Sequence, residues 1–278
     1  MQVSKIVESF LNWQRRNNTT NTVRYYELAL RWLDEFAGRE WETLKREELI
    51  PALDRFNLRP NGSPWKNDTI RRNITGVTQL QKHAEDIYEL TPVLRPKDLK
   101  KPPGTQRERI PTLEELASIM QAAPPALELA FRSLAQSGMR PNELVNAKLS
   151  DLNETRDLLI LKKHKTAKKT GKPRRIPLGN KMQEFVTHAI GDRKNGSVWL
   201  DENQKSWTVQ KLSASFRRIC SQLGFEGLVL YSLRHWKGSQ VAKDHGIYAA
   251  KTILGHTQIS TTQRYAHPDD DSARNWQD

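Results

Sequence analysis

The chain has 278 residues, with 45 Lys or Arg against 32 Asp or Glu and a formal net charge of +13. That length supplies one large core or two modest ones, and 36% apolar with 28% charged residues is the balance of a soluble protein. No stretch has the apolar length of a membrane span, and Lys5, Glu8, Arg15 and Arg16 interrupt any signal-peptide core around Phe10 and Leu11. The single Cys220 excludes an internal disulfide framework and a CxxC metal site. The expectation is a soluble, intracellular protein with a polyanionic partner.

Val3, Ile6, Val7, Phe10 and Leu11 recur at helical spacing, so the chain opens with an amphipathic helix. Asn21 or Thr22 can cap a second helix carrying Val23, Tyr26, Leu30, Leu33 and Phe36, with Gly38 as its stop. Leu49 to Phe56 reads as a short third helix. Ile70, Ile74, Val77, Leu80, Ala84, Ile87 and Tyr88 form the stripe of a long fourth, which predicts a small helical bundle over residues 1–90. Periodicity then vanishes. Pro92, Pro96, Pro102, Pro103 and Gly104 interleave with basic residues, the composition of a linker over 91–110; a loop of that length inside one domain is unusual.

Thr112 and Glu115 form a capping box that restarts helical structure and opens a second domain over residues 111–278. Helices run to about Ala123 and from Ala126 to Ser137, and Pro141 suits the first turn of the next. Leu158 to Lys163 and Arg174 to Leu178 read as two strands joined by a lysine-rich turn around Gly171. Beyond Asn180 the chain is mainly helical, apart from Ser197 to Leu200. The fold class expected is mainly α with a small antiparallel β-sheet (α+β).

The positive charge is clustered. Lys162, Lys163, Lys165, Lys168, Lys169, Lys172, Arg174 and Arg175 share one stretch without an acid. Arg95, Lys97, Lys100, Lys101, Arg107 and Arg109 form a second group, interrupted by Asp98 and Glu108. Aromatic residues lie elsewhere, which favours contact with a duplex backbone over stacking on single-stranded bases.

Two arginines, a histidine and a tyrosine suffice to attack a phosphodiester without a metal ion. Arg140 stands in Gly138-Met139-Arg140-Pro141-Asn142-Glu143, just before a helix whose free amides can add to anion binding; taken alone it is an ordinary arginine paired with Glu143. Arg234 stands in Tyr231-Ser232-Leu233-Arg234-His235, followed by Leu254-Gly255-His256 and then Tyr265. A guanidinium donates bidentate hydrogen bonds to phosphate oxygens and stays charged. Each piece is common; their order and spacing together are not.

As a set these motifs resemble the tyrosine recombinases, the phage-integrase family of site-specific DNA recombinases, over Thr112 to His267. Thr22-Val23-Arg24-Tyr25 and the helix count are similar to that family's helical, SAM-like core-DNA-binding domain. The resemblance implies that Tyr265 is the nucleophile, that Arg140 and Arg234 bind the phosphate and that His256 hydrogen-bonds a non-bridging oxygen. A covalent 3′-phosphotyrosyl intermediate and a free 5′ hydroxyl would follow, with no metal, ATP or other cofactor. The family's hairpin lysine, which protonates the leaving oxygen, matches Lys165 within Lys165-Thr166 best, while Lys168, Lys169 and Lys172 stay open. Glu143 and His235 would support the site. Lys162, Lys163, Lys168, Lys169, Lys172, Arg174, Lys100 and Lys101 would touch DNA. Tyr231 stands where the family often has His or Lys, so an acid–base role there is in doubt, and Trp236 replaces a smaller residue as packing.

The same resemblance implies duplex recombination sites as partners, self-association to a tetramer on paired sites and an accessory directionality factor. The setting would be cytoplasmic and DNA-associated, in a prokaryote or phage, with no membrane contact. A C-shaped clamp of two domains is expected. No arm-site-binding domain is expected before the first helix, and Ala266 to Asp278, acidic at Asp269, Asp270 and Asp271, would form a short element exchanged between protomers. The alternatives are a type IB topoisomerase-like enzyme that religates the same strand, and a non-catalytic DNA-binding protein derived from a recombinase. A helix-turn-helix regulator fits less well, since no segment stands out as a recognition helix.

Overall fold

The computed structural model describes residues 1–104, 109–162 and 171–265, apart from the side chain of Arg264. It divides into two compact units, Met1–Gln106 and Arg107–Asp278. The fold is mainly helical with a two-stranded antiparallel sheet, as the hydrophobic periodicity implies. Among the described residues no helix is long and apolar enough to cross a membrane.

The first unit contains α1 (Val3–Asn17), α2 (Thr20–Ala29), α3 (Arg46–Phe56) and α4 (Asn67–Tyr88). Val3, Ile6 and Phe10 of α1 and Ile74, Val77, Leu80 and Ala84 of α4 are buried together, one apolar stripe from each helix. Gly76 lets α4 approach α2 closely: a Cβ there would lie 2.7 Å from Ala29 Cβ. The cap of α2 is Thr19, whose side chain accepts from Thr22 N, rather than Asn21 or Thr22. That helix also ends early, at Ala29, and the chain tightens into a 3-10 helix over Arg31–Phe36. Leu30, Leu33 and Phe36 recur every third residue, which matches the three-residue turn of a 3-10 helix.

The described part of the proline-rich stretch after α4 is ordered against the first unit. Leu94 and Leu99 are buried in the first unit's core. The buried amide of Gln81 brackets Leu94, donating to its carbonyl at 2.9 Å and accepting from its N–H at 2.8 Å. Trp41 Nε1 donates to Thr91 O at 3.1 Å, Arg46 holds Asp98 with two bonds of 2.8 and 2.6 Å, and Arg71 reaches Pro102 O at 2.6 Å. An extended segment has no helical period to betray such packing. Side chains from the bundle satisfy its Thr91, Leu94 and Pro102 backbone groups, and a local turn pairs Asp98 N with Arg95 O and Leu99 N with Pro96 O.

The second unit contains α5 (Leu113–Ala122), α6 (Pro125–Ser137), α7 (Pro141–Asn146), β1 (Leu158–Leu161), β2 (Arg174–Pro177), α8 (Asn180–Ile190), α9 (Val209–Gln222) and α10 (Tyr231–Leu254). The Thr112–Glu115 capping box is present in both directions. Strands β1 and β2 pair antiparallel, from Leu158 opposite Pro177 to Leu161 opposite Arg174. Leu159, Leu161 and Ile176 face the core. The segment Ser197 to Leu200 forms isolated bridges, Lys148 with Ser197 and Leu200 with Ser206, rather than a strand.

Helix α6 is the spine of this unit and packs against both α8 and α10. Its Leu127, Ala130, Phe131 and Leu134 are buried, and Ser133 on the same helix accepts Trp199 Nε1 at 2.9 Å. Helix α10 is bent at Gly246 (φ 80°, ψ 169°), so its first half lies against α6 while its last turn carries Leu254-Gly255-His256. The motif residues thus sit at the ends of elements that the core fixes.

Candidate active site

Arg140 is held where α6 hands over to α7. Its backbone N–H donates to Glu143 Oε2 at 2.8 Å and its Nη1 to Glu143 Oε1 at 2.7 Å, so the buried Glu143 fixes both chain and side chain. Arg234, in the first half of α10, is 2% exposed. Its Nη1 donates to Gly138 O at 2.5 Å and its Nη2 to Leu254 O at 2.7 Å. The guanidinium therefore ties the Gly138–Arg140 turn to the far end of its own helix. Burial, then the nearby Arg140, pull the Arg234 pKa down to about 10. A buried cation hydrogen-bonded to carbonyls and faced by a second cation is a site that favours an anion.

His256 completes this arrangement. Its Nε2 is 3.1 Å from Arg234 Nη2 and its Nδ1 is 2.9 Å from Thr262 Oγ1. Arginine can only donate, so Nε2 is the lone-pair nitrogen of a neutral ring and Nδ1 carries the proton toward the buried Thr262. Thr262 was not legible as a site residue, because nothing in its neighbourhood distinguishes it from any other threonine.

Tyr265 is 7% exposed and lies beside this cluster. Its hydroxyl is 2.7 Å from Nδ1 of His235, and its ring is nearly parallel to that of His256, with centroids 6.4 Å apart. The phenol ring fills the space over Gly238: a Cβ there would lie 3.0 Å from Tyr265 Cζ and 2.8 Å from Leu254 Cδ1. A glycine inside an otherwise sound helix is the signal that could have found this contact. Tyr231, 40% exposed at the start of α10, has its ring 5.7 Å from that of His235.

Arg174, expected among the DNA-contacting residues, is half-buried on β2. It turns inward from β2 and donates through Nη2 to Ile253 O at 2.5 Å. Burial lowers its pKa, Glu143 opposes that shift and Arg140 adds to it, so three arginines share one neighbourhood offset by one carboxylate. Trp236 packs against the core. Lys162, Lys172, Lys100 and Lys101 are exposed. Lys163, Lys165, Lys168 and Lys169, and the tail from Ala266, lie outside the described residues. Among the described residues no group of His, Cys, Asp and Glu is arranged to hold a metal ion.

The sequence model described as the phage integrase family matches residues 110–272. The chain is 26% identical over 286 residues to a tyrosine recombinase of Thermosipho africanus, covering 95% of each. It is 25% identical over 274 residues to the tyrosine recombinase XerA of Thermococcus onnurineus, covering 95% of this chain and 90% of that one. Among solved structures, a lambda integrase dimer bound to a COC′ core site aligns with a TM-score of 0.76 at 17% identity, over 96% of this chain and 77% of that one. The Tn1549 transposon integrase in complex with circular intermediate DNA aligns with a TM-score of 0.75 at 18% identity, over 100% and 99%. At those identities the structural likeness is one of fold. The family model spans more than half of the sequence, and the chain belongs to the phage integrase family of tyrosine recombinases.

Proposed function

We propose that this enzyme is a site-specific DNA recombinase in which Tyr265 attacks a backbone phosphate. Arg140 and Arg234 receive the non-bridging oxygens, and the phenol oxygen displaces the 5′ oxygen of the next nucleotide. The P–O5′ bond breaks as the P–O(Tyr265) bond forms, leaving a 3′-phosphotyrosyl link and a 5′ hydroxyl. The reverse attack by a 5′ hydroxyl from a second strand restores the phosphodiester and releases the phenol. Bond energy is stored in the link, so no ATP enters the balance. The observation that carries this reading is the meeting of two contact pairs, Arg234 with His256 at 3.1 Å and His235 with Tyr265 at 2.7 Å, whose His256 and Tyr265 rings stack with centroids 6.4 Å apart.

A phenol is a poor nucleophile until its proton has a destination and the phenolate charge is offset. His235 Nδ1 supplies an acceptor at hydrogen-bond distance, and the arginine cluster supplies the field. His256 lies against Arg234 and contacts a non-bridging oxygen, on the strength of the family resemblance. Lys165 protonates the leaving 5′ oxygen, on the strength of the family resemblance. The helical unit Met1–Gln106 acts as the core-DNA-binding domain, Lys100 and Lys101 with the hairpin lysines contact backbone phosphates, and protomers assemble on paired sites with an accessory factor setting direction. The relatives support DNA and assembly as partners: one fold neighbour is a lambda integrase tetramer bound to a Holliday junction.

The test uses duplex sites selected from a random library by binding to the purified chain. Two such sites are placed on one plasmid and the products are sequenced. Recombinant junctions between the sites are expected. Relaxed plasmid alone would instead assign a type IB topoisomerase-like activity.

A further inference from the structure

A helix leaves its last four carbonyls without partners inside the helix, and at the end of α10 each of the four has a donor. His256 N donates to Lys251 O at 3.0 Å and Gly255 N to Thr252 O at 3.1 Å, the paired bonds of a Schellman turn. Leu254 O takes Arg234 Nη2 at 2.7 Å and Ile253 O takes Arg174 Nη2 at 2.5 Å, with Arg174 Nη1 a further 3.5 Å from Thr252 O. Two arginines from different elements therefore hold the turn that presents His256. A guanidinium also complements the negative end of the helix dipole.

Gly255 is required twice over. Its φ of 62° lies in the left-handed region, and a Cβ there would lie 2.7 Å from Arg174 Nε and closer still to its Cζ. The Nε itself is buried with no hydrogen-bond partner, which marks a seated guanidinium rather than one reaching for solvent. Arg174 also occupies a defined place in the hairpin. It pairs opposite Leu161 at the end of the sheet from which the lysine-rich turn departs.

We propose that Arg174 is a positioning residue: it locks the Leu254-Gly255-His256 turn to strand β2, so that His256 is presented to the phosphate in fixed register with Arg234 and the sheet. Arg174 acts through His256 and touches no reacting atom. This rests on the reading of His256 as a phosphate-contacting group, and it replaces the simpler role of Arg174 as one more backbone contact.

The test measures single-turnover formation of the covalent complex on a nicked duplex carrying a selected site, with the full chain. Arg174→Gln is expected to slow cleavage by roughly 100-fold, the scale of a misplaced reacting group, and Arg174→Lys, which cannot span two carbonyls, to recover part of that. In a His256→Ala background the same Arg174→Gln change should alter the rate by less than about twofold, because the effect passes through the ring already removed. Equal losses in both backgrounds would overturn the proposal. So would weaker DNA binding with a salt slope reduced by about 0.9, the signature of a lost phosphate contact.

Should Arg174→Gln fail to fold, Gly255→Ala tests the same seat from the other side. Slow cleavage with normal DNA binding supports the proposal, and a wild-type rate contradicts it. A wild-type chain that forms no covalent complex would instead remove the recombinase reading itself.

Discussion

The hydroxyl of Tyr265 and Nδ1 of His235, 30 residues apart in sequence, are 2.7 Å apart in the folded chain. In the proposed reaction this pairing gives the phenol's proton an acceptor. His235→Phe keeps an aromatic ring, somewhat larger, and removes the acceptor. Covalent-complex formation should then slow by roughly 100-fold, within the usual range for a general base, while DNA affinity stays unchanged. A wild-type cleavage rate in that variant would exclude His235 from the path of the phenol's proton.

Gly238 gives Tyr265 its seat. A methyl group at that position would meet Leu254 Cδ1 at 2.8 Å and the Tyr265 ring at 3.0 Å, neither of them a loose chain end. Gly238→Ala should therefore cost about 1–3 kcal/mol of stability, as overpacking does, and should displace the phenol and slow cleavage. Urea unfolding together with the single-turnover rate checks this. A variant with undiminished stability and rate would show that the ring does not depend on the gap.

The first unit should carry an acid-sensitive tie at Asp98. The two bonds from Arg46, with the Arg95 N–H adding a third at 3.0 Å, hold its carboxyl well below the usual carboxylate range. The unfolded carboxyl takes up its proton first, near pH 3.9. The stabilisation is therefore complete above about pH 3.9 and is lost as pH falls through the window beneath it toward the folded value. Denaturation midpoints followed by tryptophan fluorescence should fall across that window in the wild type and fall less steeply in Asp98→Asn. Identical pH profiles would remove the tie.

The grouping was legible in the sequence because the motifs restrict residue identity: Arg140, Arg234, His256 and Tyr265 leave few alternatives, and their side chains do come into one neighbourhood. What surrounds them was not. Thr262, which orients His256, and the inward turn of Arg174 depend on where a distant helix end lies, and local sequence holds no trace of that. The fold shows the same division. Helical stripes such as Ile74, Val77 and Leu80 announce themselves by period, whereas Leu94 and Leu99 are buried in a non-helical, turn-containing stretch that composition reads only as a linker. The 3-10 helix after Ala29 lies between these cases, since its three-residue spacing was visible but also fits a loosely drawn α-helix.

In the proposed reaction Tyr265 becomes covalently joined to DNA. Incubating the chain with a nicked duplex bearing a selected site, digesting the product and weighing the peptides tests it directly. The predicted result is a nucleotide adduct on the peptide containing Tyr265, absent from Tyr265→Phe although that variant still binds the duplex. An adduct on another residue, or a covalent complex formed by Tyr265→Phe, would contradict the assignment.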